Sequence, residues 1–183
     1  MSVGPAPQAY TRTAITLHWL IGIVVLGMLG AGFYMIDMRI SPDKLKIYML
    51  HKSVGLSILA LMLFRVIWRL THRPPALPTS VPSWQRFASH ASHALLYVLL
   101  IAMPVSGWLM NSASGFPTKL FGVLPLPQLI GKSQSAFAFW QYSHAVIAFS
   151  LCGLIGIHVL AALKHHFIDK DIILRRMLGR SSV

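Results

Sequence analysis

The sequence predicts an all-α integral membrane protein, an up-down-up-down bundle of four transmembrane helices with both termini on the cytoplasmic side. Three observations predict it. Four apolar runs each reach the roughly 20 residues needed to cross a bilayer. Hydrophobic residues make up 55% of the chain and charged residues 11%, well under the roughly 25% charged of an average soluble domain. Sixteen Lys and Arg, against four Asp and Glu, collect at the ends of the apolar runs. The 183 residues suit one domain over 1–183.

The spans are read in order. Thr13 to Ile36 holds no Asp, Glu, Lys or Arg and is the first. It is too long for the roughly 7–15-residue apolar region of a signal peptide and lacks an A-x-A site, so it reads as a retained helix. Ile47 to Trp68 is the second, with Lys52 and Arg65 near its ends, where long cations reach the interface. Phe87 to Met110 is the third, with Pro104 and Gly107 expected to bend it. Trp140 to Leu163 is the fourth. In lipid every backbone amide must be satisfied internally, and runs apolar all round are helices rather than barrel strands.

The connections differ. Asp37 to Lys46 is short and polar. Thr71 to Trp84 carries Pro74, Pro75, Pro78 and Pro82 and reads as a stiff spacer. Asn111 to Phe139 is the longest, and its stretch Leu120 to Ile130 is apolar enough to lie on the membrane surface. The end holding Arg12, Arg65, Arg69 and the C-terminal basic residues carries ten cations, the other end six: Arg39, Lys44, Lys46, Lys52, Lys119 and Lys132. The positive-inside rule makes the first end cytoplasmic. Cations placed this way meet lipid headgroups, which excludes a nucleic-acid partner. The single Cys152 excludes an intrachain disulfide.

Ionisable and metal-binding residues inside a membrane are costly and mark function. On the outer half only His51 and His144 lie in a span; the inner half offers His18, His90, His93, His158 and the pair His165–His166. His144 and His158 are fourteen residues apart on one helix. That spacing separates them by roughly 21 Å and returns to within roughly 40° of the same face. One face thus presents an imidazole near each side of the membrane, a layout suited to flat iron-bearing discs ligated on both faces. A disc beside a helix needs a small residue one turn from its ligand. Gly22 follows His18 at that offset, Gly55 follows His51, Ala148 follows His144 and Ala162 follows His158, whereas His93 is followed by the bulky Tyr97. His90 has Ala94 but sits at a helix end. This ranks His18 above His93 as inner partner of His158 and pairs His51 with His144. Tetrahedral zinc would need four ligands at one depth, which two pairs at two depths do not provide.

The motifs TLHW at Thr16–Trp19, MLHKSVG at Met49–Gly55, ASHASHALLY at Ala88–Tyr97, PVSG at Pro104–Gly107, SHA at Ser143–Ala145 and GIHVLAALKHHF at Gly156–Phe167 run in order through nearly the whole chain. Together they resemble the bacterial cytochrome b-561 family. The resemblance implies a b-type cytochrome of the inner membrane with two haem b groups, their iron ligated by His18, His51, His144 and His158. The chain is especially similar to the short, free-standing members that act as superoxide oxidase. That similarity implies oxidation of superoxide on the periplasmic side, ubiquinone as electron acceptor and a quinone contact at His165. A basic outer face would steer a small anion towards the outer haem, and Lys52, next to His51, is expected to carry its ammonium to that surface. The family's other role is an electron-transfer subunit linking a partner dehydrogenase or hydrogenase to quinone. A reading of another class is a haem-free membrane assembly or metal-transport protein.

Overall fold

A computed structural model describes residues 9–180. Four long helices, α1 (Arg12–Asp37), α2 (Pro42–Thr71), α3 (Ser83–Ser114) and α4 (Gln134–Phe167), make up most of them, and a five-residue α5 (Ile173–Met177) follows. All four long helices have the length and hydropathy of membrane spans. Each runs past its apolar stretch. The 34-residue α4 is about 51 Å long at about 1.5 Å per residue, well beyond a hydrocarbon core of about 30 Å. That overrun carries Lys164, His165 and His166 to the interface.

Local chemistry sets the ends. Thr11, Ser41 and Ser133 cap α1, α2 and α4, each hydroxyl accepting from the backbone N–H three residues on. Gly115 ends α3 in the left-handed region at φ +81°, where glycine is favoured, and a Cβ there would also press on the flexible Lys132 side chain at 3.0 Å. Helix α3 continues through Pro104 without a break.

Sequential helices pack on one another, α1 on α2, α2 on α3 and α3 on α4. The tightest apolar cluster, Leu17, Ile21, Val25, Ile58 and Met62, lies between α1 and α2. Large apolar side chains such as Ile23, Leu26, Phe149 and Leu160 face outward. In water such a surface would aggregate; in a bilayer it faces lipid.

The stretch Leu120 to Ile130, expected at the membrane surface, takes part in a short hairpin. Thr118–Leu120 (β1) pairs antiparallel with Leu124–Leu126 (β2). Phe121 and Gly122 turn between them at φ +49° and +76°, and Val123 N–H donates to the Leu120 carbonyl at 3.0 Å. Two left-handed residues at the tip match the right-handed twist of a hairpin. Pairing satisfies backbone amides of the two strands against each other. The hairpin is pinned to α2, where Ser53 Oγ accepts from Phe121 N–H at 2.8 Å.

At the opposite end the connections hold one another. Trp68 Nε1 donates to Thr11 Oγ1, Trp19 Nε1 to the Met177 carbonyl, and Arg176 to the Ala76 carbonyl. Helix α5 thus docks beside the proline spacer and the start of α1.

Candidate functional site

Three imidazoles meet at one end of the bundle. His18 from α1 and His158 from α4 have ring centroids 6.1 Å apart, and His93 from α3 lies 5.3 Å from His158. Arg65 from α2 joins them. Its guanidinium donates to Tyr97 Oη at 3.0 Å, to the Ala14 carbonyl at 3.4 Å and to His18 Nδ1 at 3.4 Å. A guanidinium only donates, so in this contact His18 Nδ1 accepts and Nε2 carries the ring proton. A half-buried arginine among three histidines is a strong local field, tied to three of the four helices.

The other end has two imidazoles. His144 Nδ1 lies 2.9 Å from Ser106 Oγ, and Ser106 donates its own proton to the Met103 carbonyl at 2.8 Å. The serine is therefore the acceptor in the first bond. His144 carries its proton on Nδ1 and presents the Nε2 lone pair, the tautomer a metal needs. Ser106 is 1% exposed, so water does not compete. His51 Nδ1 is buried and has no hydrogen-bond partner among the described residues, a cost unless a further group engages the ring.

Glycines flank both outer rings. A Cβ on Gly107 would come within 3.2 Å of His144 Cε1, and one on Gly32 within 3.6 Å of His51 Cε1. Both act across a helix interface, whereas Gly22 and Gly55 lie on the ligands' own helices. A Cβ at Gly22 would meet nothing within 4 Å, and one at Gly55 would meet Met28 Cε at 3.8 Å. Ser106, Gly32, Gly107 and Arg65 are the site residues that spacing along single helices does not find. The polar Ser106 inside an apolar helix was the available signal.

Iron ligated on both faces by imidazoles needs metal–nitrogen bonds of about 2 Å each, which puts ring centroids about 6.3 Å apart. The His18–His158 separation of 6.1 Å suits that span better than the 5.3 Å of His93–His158. The donor set is imidazole throughout, with Arg65 and Tyr97 beside the inner rings, Ser106 beside His144 and an unpartnered buried Nδ1 on His51, so the residues present fit a haem at each end.

The sequence pattern of prokaryotic cytochrome b561 matches residues 9–180. The chain belongs to the prokaryotic cytochrome b561 family. It is 37% identical to Cytochrome b561 homolog 2 of Escherichia coli (strain K12), over 100% of this chain and 97% of that protein. It is 30% identical to Probable superoxide oxidase CybB of Yersinia pestis, over 94% of this chain and 97% of that protein. It is 28% identical to Cytochrome b561 homolog 1 of the same E. coli strain, over 93% and 97%. As a b561 cytochrome it is a haem-containing electron-transport protein of the membrane with four spans.

Two further polar regions lie beyond the histidines, one at each end of the bundle. At the His51–His144 end, Asn111 is buried and accepts from Lys52 Nζ at 3.0 Å while donating to Thr118 Oγ1 at 2.7 Å and the Phe116 carbonyl at 3.0 Å. Lys52 therefore does not extend to the surface as the sequence suggested: the Asn111 carbonyl offers a partner inside the bundle. Lys44 donates to the Met38 carbonyl and Lys46 pairs with Asp43. Arg39, Lys119 and Lys132 are exposed as well, as is Lys46 beside its Asp43 partner. At the other end His165, two turns beyond His158, lies beside Asp169 and Asp171. These three residues, with Ser80, Val81, Pro82 and Gln85, line a cavity of about 310 Å³.

Proposed function

We propose that this cytochrome oxidises superoxide at its outer face and delivers the electrons to ubiquinone at its cytoplasmic face. The balance is two superoxide anions, one ubiquinone and two protons giving two dioxygen molecules and one ubiquinol. His51 and His144 would hold the outer haem b, and His18 and His158 the inner one, with Gly22 and Gly55 leaving room beside the rings. When bound, the two groups supply reversible one-electron transfer across the bilayer. What supports this reading most is that histidines occupy both ends of one four-helix bundle, His18 and His158 with ring centroids 6.1 Å apart at one end and His51 and His144 at the other.

The chain's own residues do the rest. Ser106 holds His144 in its ligating tautomer. Arg65 sets a positive field beside the inner pair. Arg39, Lys119 and Lys132 attract a small anion to the outer end. His165 meets the quinone headgroup. Both termini lie in the cytoplasm, because the α1 start, α2 end, α3 start and α4 end share the more basic side. The superoxide substrate is supported by the relative named as a probable superoxide oxidase, aligned over nearly its whole length.

A second reading has support of its own. The 37% identical relative is named only as a cytochrome b561 homolog. In that reading the chain carries electrons from a partner dehydrogenase or hydrogenase to quinone. Superoxide consumption by the purified protein alone, followed with and without ubiquinone-1, separates the two. Fast consumption coupled to ubiquinol formation is the expected result. Loss no faster than spontaneous disproportionation favours the partner-dependent carrier.

A further inference from the structure

We propose that Asp171 is a positioning residue for quinone reduction, holding the His165 imidazole so that its Nε2–H is presented to a quinone carbonyl in the cytoplasmic-side cavity. The proposal rests on the reading that quinone binds at His165.

The turn after α4 clasps this one side chain. Asp171 Oδ2 lies 2.6 Å from His165 Nδ1. Asp171 N–H donates to the His165 carbonyl at 3.1 Å. Its second oxygen, Oδ1, accepts from Ile173 N–H at 2.9 Å, which fixes the carboxylate against the start of α5. The reversal that brings Asp171 back is made at Lys170, a non-glycine residue with φ +53°. Such a conformation persists where surrounding contacts over-determine it. Both side chains are largely buried, at 16% and 12% exposure.

Neighbouring charges are apportioned so that Asp171 serves His165. Asp169 Oδ2 is 3.2 Å from His165 Nδ1, but Lys164 Nζ takes both Asp169 oxygens at 2.6 and 2.9 Å. The remaining cavity residues from α3 and the preceding loop, Gln85, Ser80, Val81 and Pro82, carry no charge.

A carboxylate only accepts, so the Nδ1 proton is committed to Asp171. Nε2 is then the nitrogen open to a ligand. A quinone carbonyl also only accepts, so it is met by the doubly protonated ring, whose charge Asp171 offsets. As the quinone takes two electrons, supplied in this reading by two superoxide anions, Nε2–H passes its proton to one quinone oxygen. The ring is left neutral with Nδ1–H still held, and is recharged from cytoplasmic solvent. The second proton of the quinol also comes from solvent. Carboxylate–imidazole pairs of this kind orient the ring and select its tautomer.

The test uses the full-length haem-loaded protein in detergent with ubiquinone-1, comparing His165→Ala, Asp171→Ala, Asp171→Asn and the double variant His165→Ala/Asp171→Ala. Haem content is the folding check. Asp171→Ala is expected to lower kcat for ubiquinone-1 at least about tenfold with KM and the rate of haem reduction by superoxide unchanged. Asp171→Asn keeps an acceptor for Nδ1–H without the charge and should fall between Asp171→Ala and wild type. The double variant should be no slower than His165→Ala, since both act through one imidazole. If His165→Ala is slow but Asp171→Ala reacts at the wild-type rate, or the two losses multiply, the positioning role is overturned while the quinone site stands. If His165→Ala itself reacts normally, the quinone reading falls and this proposal falls with it.

Discussion

The Arg65 guanidinium should set the potential of the inner haem. Its contact with His18 Nδ1 at 3.4 Å requires that nitrogen to accept, whereas ligation through Nε2 requires it to carry the proton. Ligation therefore turns Arg65 from His18 towards its other acceptors, Ala14 O and Tyr97 Oη, which are already in reach. The charge stays close. Adding an imidazole width and a metal–nitrogen bond to 3.4 Å places it roughly 7 Å from the iron. At an effective dielectric of about 20, a unit charge at that distance is worth about 2.4 kcal/mol, or about 100 mV for one electron. A cation favours the reduced iron, so removing it lowers the potential. Arg65→Met should shift one haem down by about 50–100 mV, and Arg65→Lys should retain most of the wild-type value. Spectroelectrochemical titration of the α-band resolves the two haems. The His51→Ala background, expected to hold only the inner haem, assigns the shift. A change below about 20 mV, or one confined to the outer haem, would refute the placement of Arg65 beside the inner iron.

Other predictions concern the outer end. Ser106→Ala frees the His144 tautomer, and haem transfer from the outer site to apomyoglobin should accelerate by about 10–100-fold, with the inner haem unaffected. Gly107→Ala places a Cβ 3.2 Å from His144 Cε1, so the outer haem spectrum should broaden or be lost, while Gly22→Ala, with nothing within 4 Å, should leave the protein's fold intact. Replacing Arg39, Lys119 and Lys132 together by glutamine should lower the rate with superoxide and flatten its salt dependence, from a steering gain of about 10–1000-fold. Reduction by a neutral donor is the control, and equal losses there would mean the outer haem itself was disturbed.

Much of the architecture was legible because the bilayer simplifies it. An uncharged run such as Thr13–Ile36 has one outcome in lipid, and fourteen residues on a helix place His144 and His158 without knowledge of any neighbour. What escaped depends on which helices touch. Gly32 and Gly107 serve rings on other helices, and Ser106 acts on His144 from 38 residues away. His93 reads as crowded by Tyr97 along its own helix, yet α3–α4 packing brings it to 5.3 Å from His158, while Tyr97 turns its hydroxyl to Arg65. The hairpin Thr118–Leu126 was hidden because its strands are three residues long, too short for alternation to register. Asp171 lies beyond the helix that carries its partner and is returned only by the left-handed Lys170.

The central claim, that paired histidines at two depths hold two haems, is tested most directly by haem b stoichiometry. Wild type and the single variants His18→Ala, His51→Ala, His144→Ala, His158→Ala and His93→Ala would be measured as pyridine haemochrome per chain. Wild type should carry two haems, extractable by acid solvent since no C-x-x-C-H motif attaches them. His51→Ala and His144→Ala should lose the same haem, His18→Ala and His158→Ala the other, and His93→Ala neither. One haem in wild type, or loss in His93→Ala with retention in His18→Ala, would contradict it.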